Sequence, residues 1–104
     1  MAANYETVKN AAIRYADDVR RVMPIDKAVL FGSYAKGTAD DGSDVDVCFF
    51  LPTFGERRRI DIIGDLIGMT RDRIVPFEPI AFTTSEIERG NPFVKEVLST
   101  GVEI

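Results

Sequence analysis

Apolar side chains recur at steps of three and four between Ala3 and Met23, at Tyr5, Val8, Ala12, Tyr15, Val19 and Val22. That spacing places them on one face of an amphipathic helix, which Pro24 ends. Lys27 to Phe31 is a short apolar run stopped by Gly32, brief enough for a buried strand. Ser33 follows as an N-cap for one helical turn through Tyr34, Ala35 and Lys36, closed by Gly37. Thr38 to Ser43 is polar and acidic and reads as a turn, with Asp40 and Asp41 as solvated loop charges. Asp44 to Leu51, rich in valine and phenylalanine and halted by Pro52, is a second strand.

Phe54 to Arg73 carries Ile60, Ile63 and Ile67 beside Ile62, Leu66 and Met69, a broad stripe that predicts a helix packed on the sheet despite Gly64 and Gly68. Ile74 to Phe82 is strand-like, but Pro76 and Pro79 remove ladder donors, so this third strand belongs at an edge or carries a bulge. Thr83 with Glu86 has the form of a capping box opening a short helix. Asn91 and Pro92 cap another helix that runs to Gly101, and Val102 to Ile104 forms a last short strand. The order predicts an α/β fold in one domain over residues 1–104, with helices on a small sheet. The short link from Phe31 to Asp44 suits an antiparallel pair and the helical crossover from Leu51 to Ile74 a parallel one, so the sheet is mixed.

Composition narrows the chemistry. With 104 residues, 45% hydrophobic and 29% charged, the chain is expected to build a single core too small to enclose a large substrate, so an acceptor would meet an open face. A net charge of −4 argues against a whole-molecule grip on nucleic acid, and the absence of histidine removes imidazole acid/base and zinc chemistry. Carboxylates must carry any catalysis. The lone cysteine, Cys48, lies in an apolar run and reads as a small buried hydrophobe. Neither a signal peptide nor an apolar stretch of membrane-spanning length is evident, so a cytoplasmic location away from membranes is expected.

Gly32 and Ser33 are followed by ten residues and then by Asp44 and Asp46, separated by one residue. A strand period of two puts both carboxylates on one face, and an antiparallel return brings them beside the Gly32–Ser33 turn. Nucleotidyl transfer needs that combination: negative charge on a triphosphate must be neutralised while the attacking and leaving oxygens are held in line. Two carboxylates can hold Mg²⁺, which takes oxygen ligands and keeps open positions for substrate. Gly32 lets the backbone approach phosphates, the amides and hydroxyl at Ser33 donate to them, and Lys36 adds a positive charge.

The run from Gly32 to Val47 resembles the signature of the minimal nucleotidyltransferases of the DNA polymerase beta superfamily: glycine, serine, a ten-residue gap and Asp-x-Asp. Its five specified positions (Gly32, Ser33, Gly37, Asp44 and Asp46) arise by chance about once in ten thousand chains of this length. The resemblance implies a third carboxylate on the strand after the central helix, where Glu78 is the matching position, to help hold the metal or deprotonate the acceptor. It further implies two Mg²⁺ ions, ATP as substrate, and an acceptor half supplied by a separate helical HEPN-type toxin, for which this chain is the antitoxin. In that family AMP passes from ATP to a tyrosine of the toxin. The alternatives are an antitoxin that neutralises by complex formation with a nucleotide site that does not turn over, and an antibiotic-modifying nucleotidyltransferase. Arg57, Arg58 and Arg59 do not share a helical face and read as a solvated basic run.

Overall fold

The computed structural model describes residues 4–40 and 42–104; Ala3, at the predicted start of the first helix, and Asp41, in the predicted loop, lie outside the described residues. The elements run α1 (Tyr5–Arg20), β1 (Lys27–Phe31), α2 (Ser33–Lys36), β2 (Val45–Leu51), α3 (Arg59–Gly68), β3 (Phe77–Thr83), α4 (Ser85–Glu88), α5 (Pro92–Thr100) and β4 (Val102–Glu103). The four strands form one sheet in the order β3-β2-β1-β4. β1 pairs antiparallel with β2 and with β4, whereas β2 and β3 are parallel, so the sheet is mixed as the connection lengths predicted. β3 lies at an edge, where Pro79 breaks no interior ladder.

The alternation of β2 divides the core. Val45, Val47, Phe49 and Leu51 face α1 and α3, together with Leu30 of β1 and Ala81 of β3. Cys48 and Phe50 point the other way and are covered with Val29 and Phe82 by Val94 and Val97 of α5. Burial pushes the Cys48 thiol up to about 12, so it stays protonated and behaves as the predicted buried hydrophobe.

Tyr15 ties the first layer together. Its hydroxyl donates to the Leu66 carbonyl over 2.7 Å, and its ring stacks on Phe77 at 4.8 Å and meets Phe49 edge-on at 5.5 Å. Burial holds its phenol well above the usual range, so it remains a neutral donor. The Arg73 guanidinium lies 4.9 Å over the same ring and donates to Asp18 at 2.7 Å. α1, the end of α3 and the beginning of β3 are thereby locked to one another.

Several local expectations are corrected. α1 ends at Arg20, and Val22, placed on the apolar face by spacing, is 67% exposed because the chain has left the helix before reaching it. The predicted helix over Phe54–Arg73 shrinks to ten residues: Gly55 at φ +62° belongs to a turn, and Met69 is the C-cap. Its six apolar positions wrap too far round for one face, so Ile62 and Leu66 are buried while Ile60 and Ile67 point outward. The third strand starts at Phe77 rather than Ile74, which is fully exposed. Gly32, not Ser33, is the N-cap of α2, since φ +75° and ψ −151° suit only glycine. The α4 N-cap is Thr84 rather than Thr83, and the Thr84 hydroxyl donates to Asp26 at 2.6 Å instead of capping the helix.

Arg59 is not part of a solvated basic run. It forms a two-pronged ion pair with Glu86, donates to the Ala81 carbonyl at 3.0 Å, and lies 4.6 Å over the Phe82 ring. Its guanidinium holds the Glu86 carboxyl below its usual range. Arg57 and Arg58 do lie at the surface, paired with Asp65 and Asp61.

Two glycines test this packing in opposite directions. A Cβ on Gly101 would collide with Val29 Cγ1 and stand 2.9 Å from the Leu30 carbonyl oxygen, whereas one on Gly64 in α3 meets nothing within 4 Å. Gly101→Ala is expected to lose about 1–3 kcal/mol through overpacking, and Gly64→Ala to gain about 0.5–1 kcal/mol through reduced backbone entropy. Urea unfolding of both variants checks the pair; equal midpoints would refute the close approach at Gly101.

Candidate functional site

β1 delivers the chain to the Gly32 turn at the end of the sheet where β2 and β3 begin. In the antiparallel register Phe31 lies opposite Asp46, and in the parallel register Asp46 lies opposite Glu78. Directly paired positions share a face, and neighbouring strands stand about 4.8 Å apart, so Phe31, Asp46 and Glu78 form one row across three strands. Asp44 lies one residue before β2, rather than within it as predicted, and near enough for its charge to act on Asp46. The amide of Val45 donates to the Pro76 carbonyl at 2.9 Å, which fixes this end of β2 to the entry of β3.

Gly32 is required here for two reasons. Its backbone occupies a left-handed φ, and an added Cβ would collide with Asp46 Oδ2 and lie 3.1 Å from its Cγ. The carboxylate of Asp46 therefore rests directly against the turn. Beyond it, Tyr34 inserts into the α1/α3 core and pins the short α2 from below. Gly37, at φ +76°, closes α2 in the left-handed region as predicted. The bonds that Ser33 makes to Thr38 go through its carbonyl, so the turn does not consume its hydroxyl. The first amides of α2 likewise have no intrahelical acceptor.

The polar loop before Asp44 is internally organised. Asp40 Oδ1 accepts from the Gly42 amide at 3.0 Å and from the Ser43 hydroxyl at 3.2 Å, while Ser43 Oγ accepts from the Asp40 amide at 2.9 Å. Asp40 is thus a turn organiser rather than a merely solvated charge. Lys36 is turned toward α5, with its Nζ 3.4 Å from Glu96 Oε1. It stands on the same helical turn as Ser33.

Electrostatics mark Asp46 as the strained member. Asp44 and Glu78 are exposed and Asp46 is half-buried. Burial, then the charge of Glu78, then that of Asp44, push the Asp46 carboxyl from 3.8 up to about 6. Hard oxygen donors crowded until one resists ionising are the donor set that suits a small divalent cation. Among the described residues, no three such side chains stand close enough together to form a metal cage.

Two aromatic neighbours were not anticipated from sequence. Phe93 of α5 packs edge-on against Phe31 at 5.9 Å and tilted against Phe82 at 5.6 Å, yet remains 44% exposed. Phe31 carried a signal in the strand period, but nothing in the sequence joined it to Phe93, sixty-two positions later.

The raised Asp46 carboxyl has a definite stability signature. A carboxyl that binds its proton more tightly when folded contributes stability below about pH 4, and that contribution is lost as pH rises through about 6. Asp46→Asn is therefore expected to melt close to wild type at pH 4 and several degrees above it at pH 7.5, in metal-free buffer. Thermal melts across that range check it; no gain at pH 7.5 would refute the crowding.

Comparison with known proteins shows the family and the fold. The nucleotidyltransferase domain family matches residues 13–100. A Methanocaldococcus jannaschii protein named "Putative protein adenylyltransferase" is 34% identical over 83 residues, covering 77% of this chain and 79% of the relative. A crystal structure of a "putative nucleotidyltransferase" from Sulfolobus solfataricus has a TM-score of 0.67 at 20% identity, over 90% of this chain and 76% of that one, a likeness of fold. With a family match that runs from within α1 to the end of α5, the chain belongs to the nucleotidyltransferase domain family.

Proposed function

We propose that this nucleotidyltransferase moves AMP from ATP onto a protein hydroxyl, and that the acceptor is a tyrosine of a helical HEPN-type toxin for which the chain serves as antitoxin. The observation that carries the reading is the row of Asp46 and Glu78 beside the Gly32–Ser33 turn, with Asp44 next to it. The relative named as a protein adenylyltransferase supports the choice of nucleotide and of acceptor class.

In this reading the Ser33 hydroxyl and the amides after Gly32 hold the β- and γ-phosphates, where the absence of a Cβ leaves room for close approach. Asp44 and Asp46, with Glu78 beside them, would hold Mg²⁺, which when bound supplies the positive charge that neutralises the triphosphate oxygens. The acceptor oxygen attacks the α-phosphorus, the bond from that phosphorus to the bridging oxygen breaks, and pyrophosphate leaves with the electron pair. Glu78, exposed on the edge strand, takes the proton of the acceptor hydroxyl. Lys36 would have to leave Glu96 to join the phosphates, so its contribution is secondary.

A second reading is neutralisation by complex formation with a nucleotide site that does not turn over. Glu78, at a position where the family often carries an aspartate, favours it. The chain, its genomic neighbour, Mg²⁺ and α-labelled ATP are expected to give label on the neighbour. Asp44→Ala is expected to lower the rate at least about a hundredfold, the scale of removing a group that stabilises transition-state charge. Unlabelled neighbour, with a double Asp44→Asn, Asp46→Asn variant that still neutralises it, would establish the binding reading instead.

A further inference from the structure

The open side of the carboxylate row is bounded by an aromatic wall. Phe31, Asp46 and Glu78 point to the same sheet face as Cys48 and Ile80, the next row along β2 and β3. Successive same-face positions are about 6.8 Å apart along a strand. Phe93 spans that next row, because it touches Phe31 on β1 and Phe82 on β3, with β2 between them. Phe93 thus brings α5 to the carboxylate row at Phe31. Ile80, half-buried beside Glu78, continues the apolar surface.

Phe93 does not need its exposed position in order to pack. Its contacts with Phe31 and Phe82 hold the ring in place while 44% of the residue stays exposed, and Phe31 is the member of the carboxylate row next to Asp46. A rigid aromatic ring, fixed on one side and bare on the other beside a phosphate-binding turn, is a stacking platform for a planar base. Such contacts tolerate different bases because each presents a π-face.

From this arrangement we infer that Phe93, braced by Phe31, is the surface on which the nucleobase of the donor nucleotide stacks, and so a determinant of nucleotide affinity. The inference rests on the nucleotidyl-transfer reading given above. It makes the base contact hydrophobic and weakly discriminating, so that preference for adenine over guanine would be small at the binding step.

The chain has no tryptophan, so Phe93→Trp introduces a sole indole reporter at the wall. Its fluorescence is expected to be quenched by Mg·ATP and by Mg·GTP but not by Mg·tripolyphosphate, which lacks a base. In calorimetry, Phe93→Leu, which keeps apolar bulk, is expected to weaken Mg·ATP at least about fivefold, the lower end of what stacking on an aromatic ring supplies. Its affinity for Mg·tripolyphosphate is expected to stay within about twofold of wild type, a difference too small for a lost stacking contact. The inference is overturned if Phe93→Leu binds Mg·ATP as wild type does, or if it loses ATP and tripolyphosphate equally. It is also overturned if the indole responds alike to both. Tripolyphosphate binding in wild type with no added affinity for ATP would remove the base platform and leave the phosphate site standing. Binding of neither would remove both.

Discussion

The Asp46 carboxylate rests on the backbone of Gly32 so closely that no side chain fits between them, and Glu78 stands opposite it on the adjoining strand. This crowding is unfavourable in the isolated chain, since burial and two like charges all resist ionisation of Asp46. The fold tolerates it because the rest of the sheet end is fixed by contacts that do not depend on these acids. Crowded carboxylates resist ionisation wherever no positive charge lies beside them.

The supporting contacts are mostly apolar. Tyr34 anchors the turn in the α1/α3 layer, and Tyr15 stacks on Phe77, the residue before Glu78. Arg59 and Glu86 tie α3 to α4 across the end of β3, with the guanidinium lying on Phe82. None of these residues belongs to the carboxylate row, yet together they set where its members stand. A site built at the ends of strands inherits the rigidity of the ladder, which loops alone would not supply.

The two layers differ in what they leave open. α1 and α3 cover their face of the sheet as far as Val45 and Phe77, whereas on the other face Phe93 brings α5 to the carboxylate row at Phe31. At the carboxylate end Asp44 and Glu78 remain exposed and Asp46 half-buried. That asymmetry also gives the aromatic residues there a different environment from those in the main core, where Tyr15 and Phe49 are fully enclosed.

The strands, their mixed pairing and the Gly32 to Asp46 constellation were legible from sequence because each rests on a short-range rule. Strand period fixes which side chains share a face, proline marks an edge strand, and a glycine between apolar run and helical turn marks a tight bend. Helix limits, caps and the role of Arg59 were not legible. Whether Ile60 or Ile62 is buried depends on which side of α3 meets the sheet, and whether Arg59 is solvated depends on Glu86, twenty-seven positions away. The sequence by itself determined that the second strand would return Asp46 beside the Gly32 turn, since that follows from local geometry. Only the tertiary structure decided that Glu78 pairs with Asp46, that Lys36 turns to Glu96 and that Phe93 closes the wall, because those neighbours are set by strand register and helix docking.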